Sequence, residues 1–395
     1  MKFKTNSKNV LAILFVLFIT ICGSLSLLTK PVKILGGLAR GYIDSPQESS
    51  IIEKIDNAFS VFDTRISEYF ILHDPSIHAY GGIQRLLGRT LIDDTSETHK
   101  VVKLNNGYLT FKSLYDSDLT GLTEYLLSLK SACNSTNTEL LYINTLSKNT
   151  TLSELLPEFY PHCHTSNLEE IKPILENNGI AILDFENLIA EQNIDKYSLF
   201  FITDHHWKPQ TGIWVSQNIC TTLNKEYGWN INTSIFDITN YSINNYSKIF
   251  LGSQGKRVGA MFTEIDDFEV IEPVFATNLT VLMNDINCEK TGNFSETLLY
   301  TENITPKKPL NQETTAYNTY MDGNHDLVKI TNNNISNGKK ALIIMDSMGC
   351  VVAPYLALSF EKLDCIDIRS YKEPIEEYIQ KTSPDIVIYA ISSHQ

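Results

Sequence analysis

Two short stretches of the sequence contain side chains that can do acid-base and nucleophilic chemistry together. "FFITDHHWKP" at residues 200–209 places an acid and two histidines after an apolar run, and "ALIIMDSMG" at 341–349 places a serine after another. A carboxylate that orients a histidine makes it a general base, and such a base can remove the proton of a serine hydroxyl. Asp204, His206 and Ser347 are therefore candidate catalytic residues for acyl transfer or ester hydrolysis.

The local sequence predicts how each of these groups is presented. Residues two apart in an extended segment point the same way, so Asp204 and His206 share one side while His205 points to the other. Ser347 falls at a strand-to-helix turn, where its hydroxyl is exposed. The backbone N–H groups beside it, including that of Met348, can stabilise an oxyanion at such a turn.

Each motif is also compatible with a role that involves no serine chemistry. An Asp-Ser pair after a strand is more often a helix cap than a nucleophile, and an Asp-x-His pair is more often a surface or core pair. Asp-His-His also occurs in metal-dependent phosphoesterases, but these need further aspartates on earlier strands to hold two metals. The Asp-x-Asp pair of "YDSDLTG" precedes a predicted helix instead. A domain without activity that binds glycan or organises a secretion complex is a further alternative.

A zinc site is suggested by "PHCHTS" at residues 161–166. Structural zinc needs about four ligands at defined spacing, and no second pair accompanies His162, Cys163 and His164. The seven cysteines show no paired spacing, so they predict neither disulfides nor a redox compartment.

Apolar runs alternate with helical segments from about residue 100. The strand-length runs are "ELLYINTL", "IAILDF", "SLFFITDHHW", "KALIIMDS", "LDCIDIR" and "PDIVIYA", and helices such as "PQTGIWVSQNICTTLNKEYG" and "EPIEEYIQK" lie between them. This alternation predicts a layered α/β fold with a parallel sheet. Ligands bind beyond the carboxyl ends of such strands, where both candidate motifs and Arg369 fall.

The N-terminal residues differ in kind from the rest. Residues 10–28 read "VLAILFVLFITICGSLSLL", an uncharged run of the length that crosses a bilayer. We predict an uncleaved anchor, because the run is long and no clear cleavage site follows it; a cleaved signal peptide is the alternative. The predicted regions are a cytoplasmic N-terminus at 1–9, the anchor at 10–29, a connecting amphipathic helical region at 30–99, and a catalytic domain at 100–395 with an irregular insertion at about 240–335.

The connecting region contains an apolar stripe at helical spacing, formed by Ile52, Ile55, Phe59, Phe62, Ile66 and Phe70. It predicts an amphipathic helix that lies on the body or connects it to the membrane. The formal net charge of −14 and the lack of a Lys/Arg cluster argue against a nucleic-acid partner.

The motifs "TDHHWKPQTG", "GSQGKRVG" and "IIMDSMG", in this order, resemble the bacterial DHHW proteins. These are similar to the membrane-attached alginate O-acetylation proteins and more distantly to SGNH hydrolases. The likeness covers about residues 50–395, and "NNGYLTF" at 105–111 fits an opening segment of such domains. It implies a three-layer SGNH-like domain with a mostly parallel sheet and a permuted motif order, because the serine comes last.

The resemblance also implies roles for individual residues. The family's Asp-x-His pair falls on Asp204 and His206, and the serine of its Gly-Asp-Ser motif falls on Ser347. Met345 replaces the glycine of that motif. His205 is the family's intervening residue and receives no catalytic role.

Three basic residues are further candidates. By resemblance Arg369 contacts substrate or the oxyanion, with a salt bridge to a neighbouring aspartate as the alternative. Lys256 and Arg257 lie in the Gly-bounded "GSQGKRVG" and could meet a sugar or a carboxylate, although basic loop residues are usually just solvated.

The function implied by the resemblance is a membrane-anchored, extracytoplasmic SGNH-like O-acyltransferase or esterase. Acetyl is the implied group, and a cell-surface polysaccharide is the implied acceptor. A multi-span membrane acyltransferase that supplies the acyl group is the implied partner. The predicted serine chemistry uses neither a metal nor a cofactor.

Overall fold

The computed structural model describes residues 7–46, 48–92, 100–112, 119–158, 160, 168–304 and 315–391, with side chains described from residue 10. His162, Cys163 and His164, the predicted zinc cluster, lie outside the described residues. The chain divides into two compact units, residues 1–84 and 85–395.

The helices are α1 (Ser7–Thr29), α2 (Pro31–Ile43), α3 (Ile51–Glu68), α4 (His73–Leu86), α5 (Leu119–Ser135), α6 (Lys148–Thr151), α7 (Leu168–Asn177), α8 (Phe185–Glu191), α9 (Pro209–Tyr227), α10 (Ser253–Val258), α11 (Phe294–Leu298), α12 (Ala353–Leu356) and α13 (Ile375–Thr382). Short 3-10 helices span Ser153–Leu155, Lys196–Ser198, Thr233–Phe236, Ile238–Asn240, Thr301–Asn303, Ala316–Thr319, Ser347–Val351 and Ala357–Ser359.

The strands are β1 (Leu91–Ile92), β2 (Val101–Lys103), β3 (Leu109–Phe111), β4 (Glu139–Asn144), β5 (Ala181–Asp184), β6 (Tyr241–Phe250), β7 (Asp266–Pro273), β8 (Leu279–Met283), β9 (Cys288–Gly292), β10 (Leu327–Asn332), β11 (Lys340–Met345), β12 (Lys362–Asp367) and β13 (Ile386–Ala390).

The N-terminal unit consists of α1 to α3 and most of α4. Within α1, Val10–Thr29 form a 20-residue stretch that is long and apolar enough to cross a membrane by length and composition. Helices α2 and α3 pack closely because Gly41 has no side chain: a Cβ there would lie 2.7 Å from Ala58 Cα. The predicted apolar stripe does lie on a helix, α3, but Ile52 and Phe59 are 72% and 60% exposed.

The second unit is built on a mostly parallel sheet. Within the described residues its eight strands have the order β5-β4-β13-β11-β12-β10-β8-β9. Five neighbouring strands run parallel: β5, β4, β13, β11 and β12. Beyond β12, the strands β10, β8 and β9 extend the sheet by antiparallel pairing. Two smaller sheets, β1-β2-β3 and the β6-β7 hairpin, complete this unit.

The side chains of the central strands alternate between the two faces of the sheet. Ile343 and Ile388 belong to one core, which includes residues of α9, whereas Leu342 and Val387 belong to another, which includes residues of α5, α7 and α13. Burying each of these side chains contributes about 1.5–3 kcal/mol. The sheet therefore has helices on both faces, and the predicted three-layer α/β fold is confirmed.

The structure contradicts one predicted strand. "SLFFITDHHW" is not a strand of the sheet: it follows a 3-10 turn and is irregular, with a single bridge between Phe200 and Trp207. Its apolar side chains are buried because they enter the core from a loop. An apolar run of strand length indicates burial, but does not by itself specify strand pairing.

Candidate active site

The first part of the site lies at the carboxyl ends of β11 and β12. Met345 ends β11, and the 3-10 helix that begins at Ser347 is capped by the Asp346 side chain, which accepts the Met348 N–H at 2.8 Å. The Met348 N–H is thus already donated to a carboxylate and is not available as the expected oxyanion donor. The buried Met345 replaces the small residue of the motif, and Gly349 makes room for it, since a Cβ there would lie 2.3 Å from Met345 Sδ.

The second part of the site is the irregular segment that ends at the start of α9. Trp207 anchors this segment because its buried indole donates from Nε1 to the Leu146 carbonyl at 3.2 Å. Helix α9 lies against the 3-10 helix that begins at Ser347. This approach requires Gly212, since a Cβ there would lie 1.9 Å from the Val351 carbonyl oxygen. The packing of α9 therefore brings the two sequence motifs together.

His206 links the two motifs. Its Nε2 lies 2.9 Å from Ser347 Oγ, and its Nδ1 shares a hydrogen bond with Oδ1 of Asp204. The same oxygen accepts the His206 backbone N–H at 2.9 Å. When Nδ1 donates to Asp204, Nε2 carries the lone pair and can accept the serine proton. The structure thus brings Asp204, His206 and Ser347 into contact in the order carboxylate, imidazole, hydroxyl.

The Asp204 carboxylate is held from the "GSQGKRVG" segment, a role that the sequence did not predict. Its Oδ2 accepts the Ser253 N–H at 2.5 Å. Gly252 permits this contact, because a Cβ there would lie 2.1 Å from Asp204 Cβ. Burial raises the pKa of the Asp204 carboxyl, but His206, His205 and the hydrogen bonds outweigh it and hold that pKa well below 3.8. Asp204 is therefore a carboxylate at neutral pH.

Tyr317 is a site residue that no sequence motif indicated. Its ring stacks on the His206 ring with centroids 4.1 Å apart and an interplanar angle of 22°. Its hydroxyl donates to the Ser347 carbonyl at 3.2 Å. One buried side chain therefore contacts both the His206 ring and the backbone of Ser347. Burial raises the pKa of Tyr317 well above its usual value, so the hydroxyl stays protonated.

His205 occupies a different position from its neighbour. Its Nδ1 lies 2.8 Å from Ser253 Oγ, and its ring centroid lies 5.8 Å from that of Phe111. Burial and the nearby His206 lower the pKa of His205 to about 3, so its ring is neutral at physiological pH. The structure does not place His205 between the acid and the serine.

Arg369 follows β12 and forms the salt bridge to a neighbouring aspartate that was the alternative for it. Its Nε and Nη2 donate to the Asp367 carboxylate at 2.9 and 2.6 Å, and its Nη1 lies 3.5 Å from Ser347 Oγ. The salt bridge fixes the guanidinium and raises its pKa. The salt bridge therefore orients a cation towards the Ser347 hydroxyl, and Asp367 is a site residue that the sequence did not indicate.

Lys256 and Arg257 lie on α10, the short helix that begins at Ser253, whose N–H binds Asp204. The Arg257 guanidinium lies over the Phe111 ring, 5.2 Å from its centroid. Burial lowers the pKa of Arg257, and no acidic side chain among the described residues contributes to raising it. The Phe111 ring lies beside His205, whose ring centroid is 3.9 Å from that of His206.

Asp204, His205 and His206 are also the residues that a metal ion could bind. Their ligand atoms lie within 4.8 Å of one another, and no other such group occurs in the described part of the chain. Both ring nitrogens of His206 already face a partner, one the carboxylate and one the serine. A two-metal phosphoesterase needs further carboxylates around the ions. The arrangement suits proton transfer between these groups better than shared metal coordination.

The domain is a layered α/β fold with a mostly parallel sheet, and its serine segment follows the Asp-His-His segment in the chain. Bacillus cereus PatB1, solved with a sulfonyl adduct, superposes with a TM-score of 0.59 at 19% identity, over 74% of this chain and 94% of that chain. A DHHW family protein from Eubacterium siraeum gives a TM-score of 0.54 at 20% identity, over 77% and 94%. These structures bear out the predicted likeness to DHHW proteins at the level of the fold.

The likeness to the alginate O-acetylation proteins is weaker. The O-acetyltransferase domain of Pseudomonas putida AlgJ gives a TM-score of 0.43 at 10% identity, over 74% of this chain and 91% of that chain. No protein-family model matches the sequence. No curated protein matches it significantly.

Proposed function

We propose that this protein is a serine O-acyltransferase or esterase that acts on a cell-surface polysaccharide, with Ser347 as nucleophile. The observation that carries the proposal is the 2.9 Å contact between His206 Nε2 and Ser347 Oγ, with Asp204 on the other ring nitrogen. An Asp-Ser pair that only caps a helix, or an Asp-x-His pair that only packs in the core, would not require these two distant motifs to meet.

The proposed reaction has two half-steps. Ser347 Oγ attacks the acyl carbonyl carbon while His206 Nε2 takes the hydroxyl proton, and Asp204 stabilises the resulting imidazolium. The tetrahedral intermediate collapses when the carbon–oxygen bond to the leaving group breaks and that group receives the proton from His206. An acceptor hydroxyl or water then attacks the acyl-enzyme, with His206 again as base, and releases Ser347.

The oxyanion of the tetrahedral intermediate is assigned to Arg369 rather than to the Met348 N–H. A cation held rigidly beside the reacting oxygen stabilises negative charge as it develops, and a donor of this kind is worth about 10²- to 10³-fold in kcat. The Arg369 fork on Asp367 supplies that rigidity.

Replacement of Arg369 should therefore affect chemistry more than binding. We expect Arg369→Gln to lower kcat for an activated acetyl ester by about 10²-fold with a small change in KM. Steady-state kinetics measure this, with Arg85→Gln at an exposed position as control. A variant that stays within twofold of the wild-type kcat would remove Arg369 from the oxyanion site.

Lys256 and Arg257 are proposed to contact the acceptor. Arg257 is half-buried on an aromatic ring and has no carboxylate partner among the described residues, so its guanidinium can bind a carboxylate or phosphate of a polymer. Phe111 and His205 would form the surface on which a sugar ring rests beside the base. Acetyl as the transferred group follows from the resemblance to the O-acetylation proteins.

The cellular setting is also part of the proposal. Residues Val10–Thr29 would anchor the chain in a membrane as a single pass with the catalytic unit outside the cytoplasm. A multi-span membrane acyltransferase would then supply the acyl group. An inactive glycan-binding or scaffold protein is the alternative function.

A covalent adduct tests the proposal directly. The full chain in detergent, exposed to an activated acetyl ester and quenched in acid, should carry an acetyl group that peptide mapping places on Ser347. A sulfonyl fluoride should label the same residue and block ester turnover. If neither reagent modifies Ser347 and no ester is turned over, the scaffold alternative is favoured.

A further inference from the structure

We infer that Lys148 and Asp266 are positioning residues that clamp the irregular segment 201–204. Lys148 binds its carbonyl oxygens, and Asp266 binds its N–H groups. The inference rests on the proposed function, because it concerns how the carboxylate and the base reach their places. Neither residue belongs to a motif that the sequence singled out, and neither touches the reacting atoms.

Lys148 lies at the start of α6, after the carboxyl end of β4, and is only 3% exposed. Its ammonium donates to the carbonyl oxygens of Leu109 at 2.8 Å, Phe201 at 2.6 Å and Asp204. These carbonyls come from β3 and from both ends of the 201–204 stretch. One buried cation thus ties two elements, α6 and β3, to the stretch that contains Asp204.

Asp266, at the start of β7, holds the same segment through its N–H groups. Its carboxylate accepts the Ile202 N–H at 2.7 Å, the Thr203 N–H at 2.7 Å and the Thr203 hydroxyl at 2.6 Å. The Thr203 hydroxyl in turn accepts the Gly252 N–H at 2.9 Å. Gly252 precedes Ser253, whose own N–H binds Asp204, so the clamp extends to the carboxylate itself.

The need for such a clamp follows from the local backbone. Residues 201–204 are not in a strand, so no sheet ladder satisfies their buried N–H and C=O groups. Lys148 binds the Phe201 and Asp204 carbonyls, and Asp266, of opposite charge, binds the Ile202 and Thr203 N–H groups. The Ile202 and Thr203 carbonyls accept the backbone N–H groups of Leu109 and Gly255. Hydrogen bonds to charged groups are stronger and more directional than neutral ones. Loss of either charge should let the Asp204 backbone shift while the surrounding core stays packed.

A shift of this kind should lower the rate more than the affinity. We expect Lys148→Met to reduce kcat for an activated ester by about 10- to 100-fold with KM within about threefold, because a misplacement of about 1 Å costs up to 10²-fold. The matched control is Thr151→Val. Thr151 is buried on the same helix but donates to Glu186 rather than to the 201–204 stretch, so this variant should keep the wild-type kcat.

The pH dependence of kcat distinguishes this role from a purely structural one. A purely structural role of Lys148 would leave that dependence unchanged. The titratable groups that face Lys148 are Asp266, Asp204, Lys208 and His205, and His205 is neutral. Burial lowers the pKa of Lys148 to about 7. Deprotonation removes one donor and turns a lone pair towards the carbonyl oxygens. Wild-type kcat should therefore decline as pH rises above that value, and Lys148→Met should lack this decline.

Asp266→Asn makes the test independent of whether Lys148→Met folds. It keeps the shape of the side chain and one acceptor oxygen, and it should lower kcat about tenfold in the full chain. If the wild type is active and either folded variant keeps both the wild-type kcat and pH profile, the clamp is refuted. If the wild type neither turns over ester nor forms the adduct, the proposed function fails instead.

Discussion

Replacement of Ser347 by alanine should abolish ester turnover, with a loss in kcat of at least about 10³-fold. The reason is the loss of the only oxygen that faces His206 Nε2 in the described residues. The remaining contacts of this position are made by backbone: Tyr317 still donates to the residue 347 carbonyl, and Asp346 still caps the helix. The variant should therefore fold, with a free energy of unfolding within about 1 kcal/mol of wild type.

The control for this experiment is Ser359→Ala. Ser359 is also buried, at 3% exposed against 6% for Ser347, but it lies outside the site. Turnover of a chromogenic acetyl ester, labelling by a sulfonyl fluoride and thermal unfolding are measured on both variants. If Ser347→Ala is folded and still turns over ester at the wild-type rate, the covalent mechanism is wrong.

Replacement of Asp204 by asparagine should lower kcat by about 10³- to 10⁴-fold while Ser347 remains in place. An amide N–H directed at His206 Nδ1 favours the tautomer with the proton on Nε2. That nitrogen then cannot accept the serine proton. The exposed Asp237 accepts the Thr239 N–H in the same local arrangement, and Asp237→Asn is the matched control.

The same variant should alter the dependence of stability on pH. The pKa of Asp204 in the folded state is held well below its ordinary value of 3.8. The contribution of its carboxylate to stability is therefore present above that ordinary value and is lost as pH falls through the folded pKa. As pH falls from about 5 through 3.8, the temperature midpoint of unfolding should fall less steeply for Asp204→Asn than for the wild type. The variant lacks the proton, about one per chain, that the wild type takes up on unfolding. Parallel curves would mean that the carboxylate is not paired in the folded state.

Five of the eight described strands of the main sheet were predictable from the sequence, namely β4, β5, β11, β12 and β13. The other three, β8, β9 and β10, fall in the region 240–335 that was predicted to be an irregular insertion. Runs such as "ALIIM" bury both faces of a parallel strand and are bounded by polar residues. Helix α9 begins at Pro209 and ends before Gly228, whose φ of 64° suits a left-handed cap, as the sequence predicted. The same reasoning was wrong for "SLFFITDHHW", because burial in a loop and burial in a sheet produce the same apolar run.

The partners of the site residues could not be predicted in this way. Asp367 lies in the predicted strand "LDCIDIR", but nothing in that pattern marked it as a site residue. Tyr317 and Lys148 lie in segments whose sequence shows no distinctive spacing. Their contacts join positions such as Lys148 and Asp204, 56 residues apart, or Tyr317 and Ser347, 30 apart. Local pattern cannot report which distant backbone a side chain will reach. The replacement of a motif glycine by Met345 likewise could be explained only from the structure, in which Gly349 leaves room for the Met345 side chain.

The sequence by itself determined the chemical groups of this protein, the alternation of buried strands and helices, and an N-terminal helix apolar enough for a membrane. These depend on residue type and short-range period, which are local properties. Only the tertiary structure decided that a serine and a histidine 141 residues apart lie within hydrogen-bond distance. That outcome depends on the contact of α9 at Gly212 with the serine segment and on buried charges that fix an irregular loop.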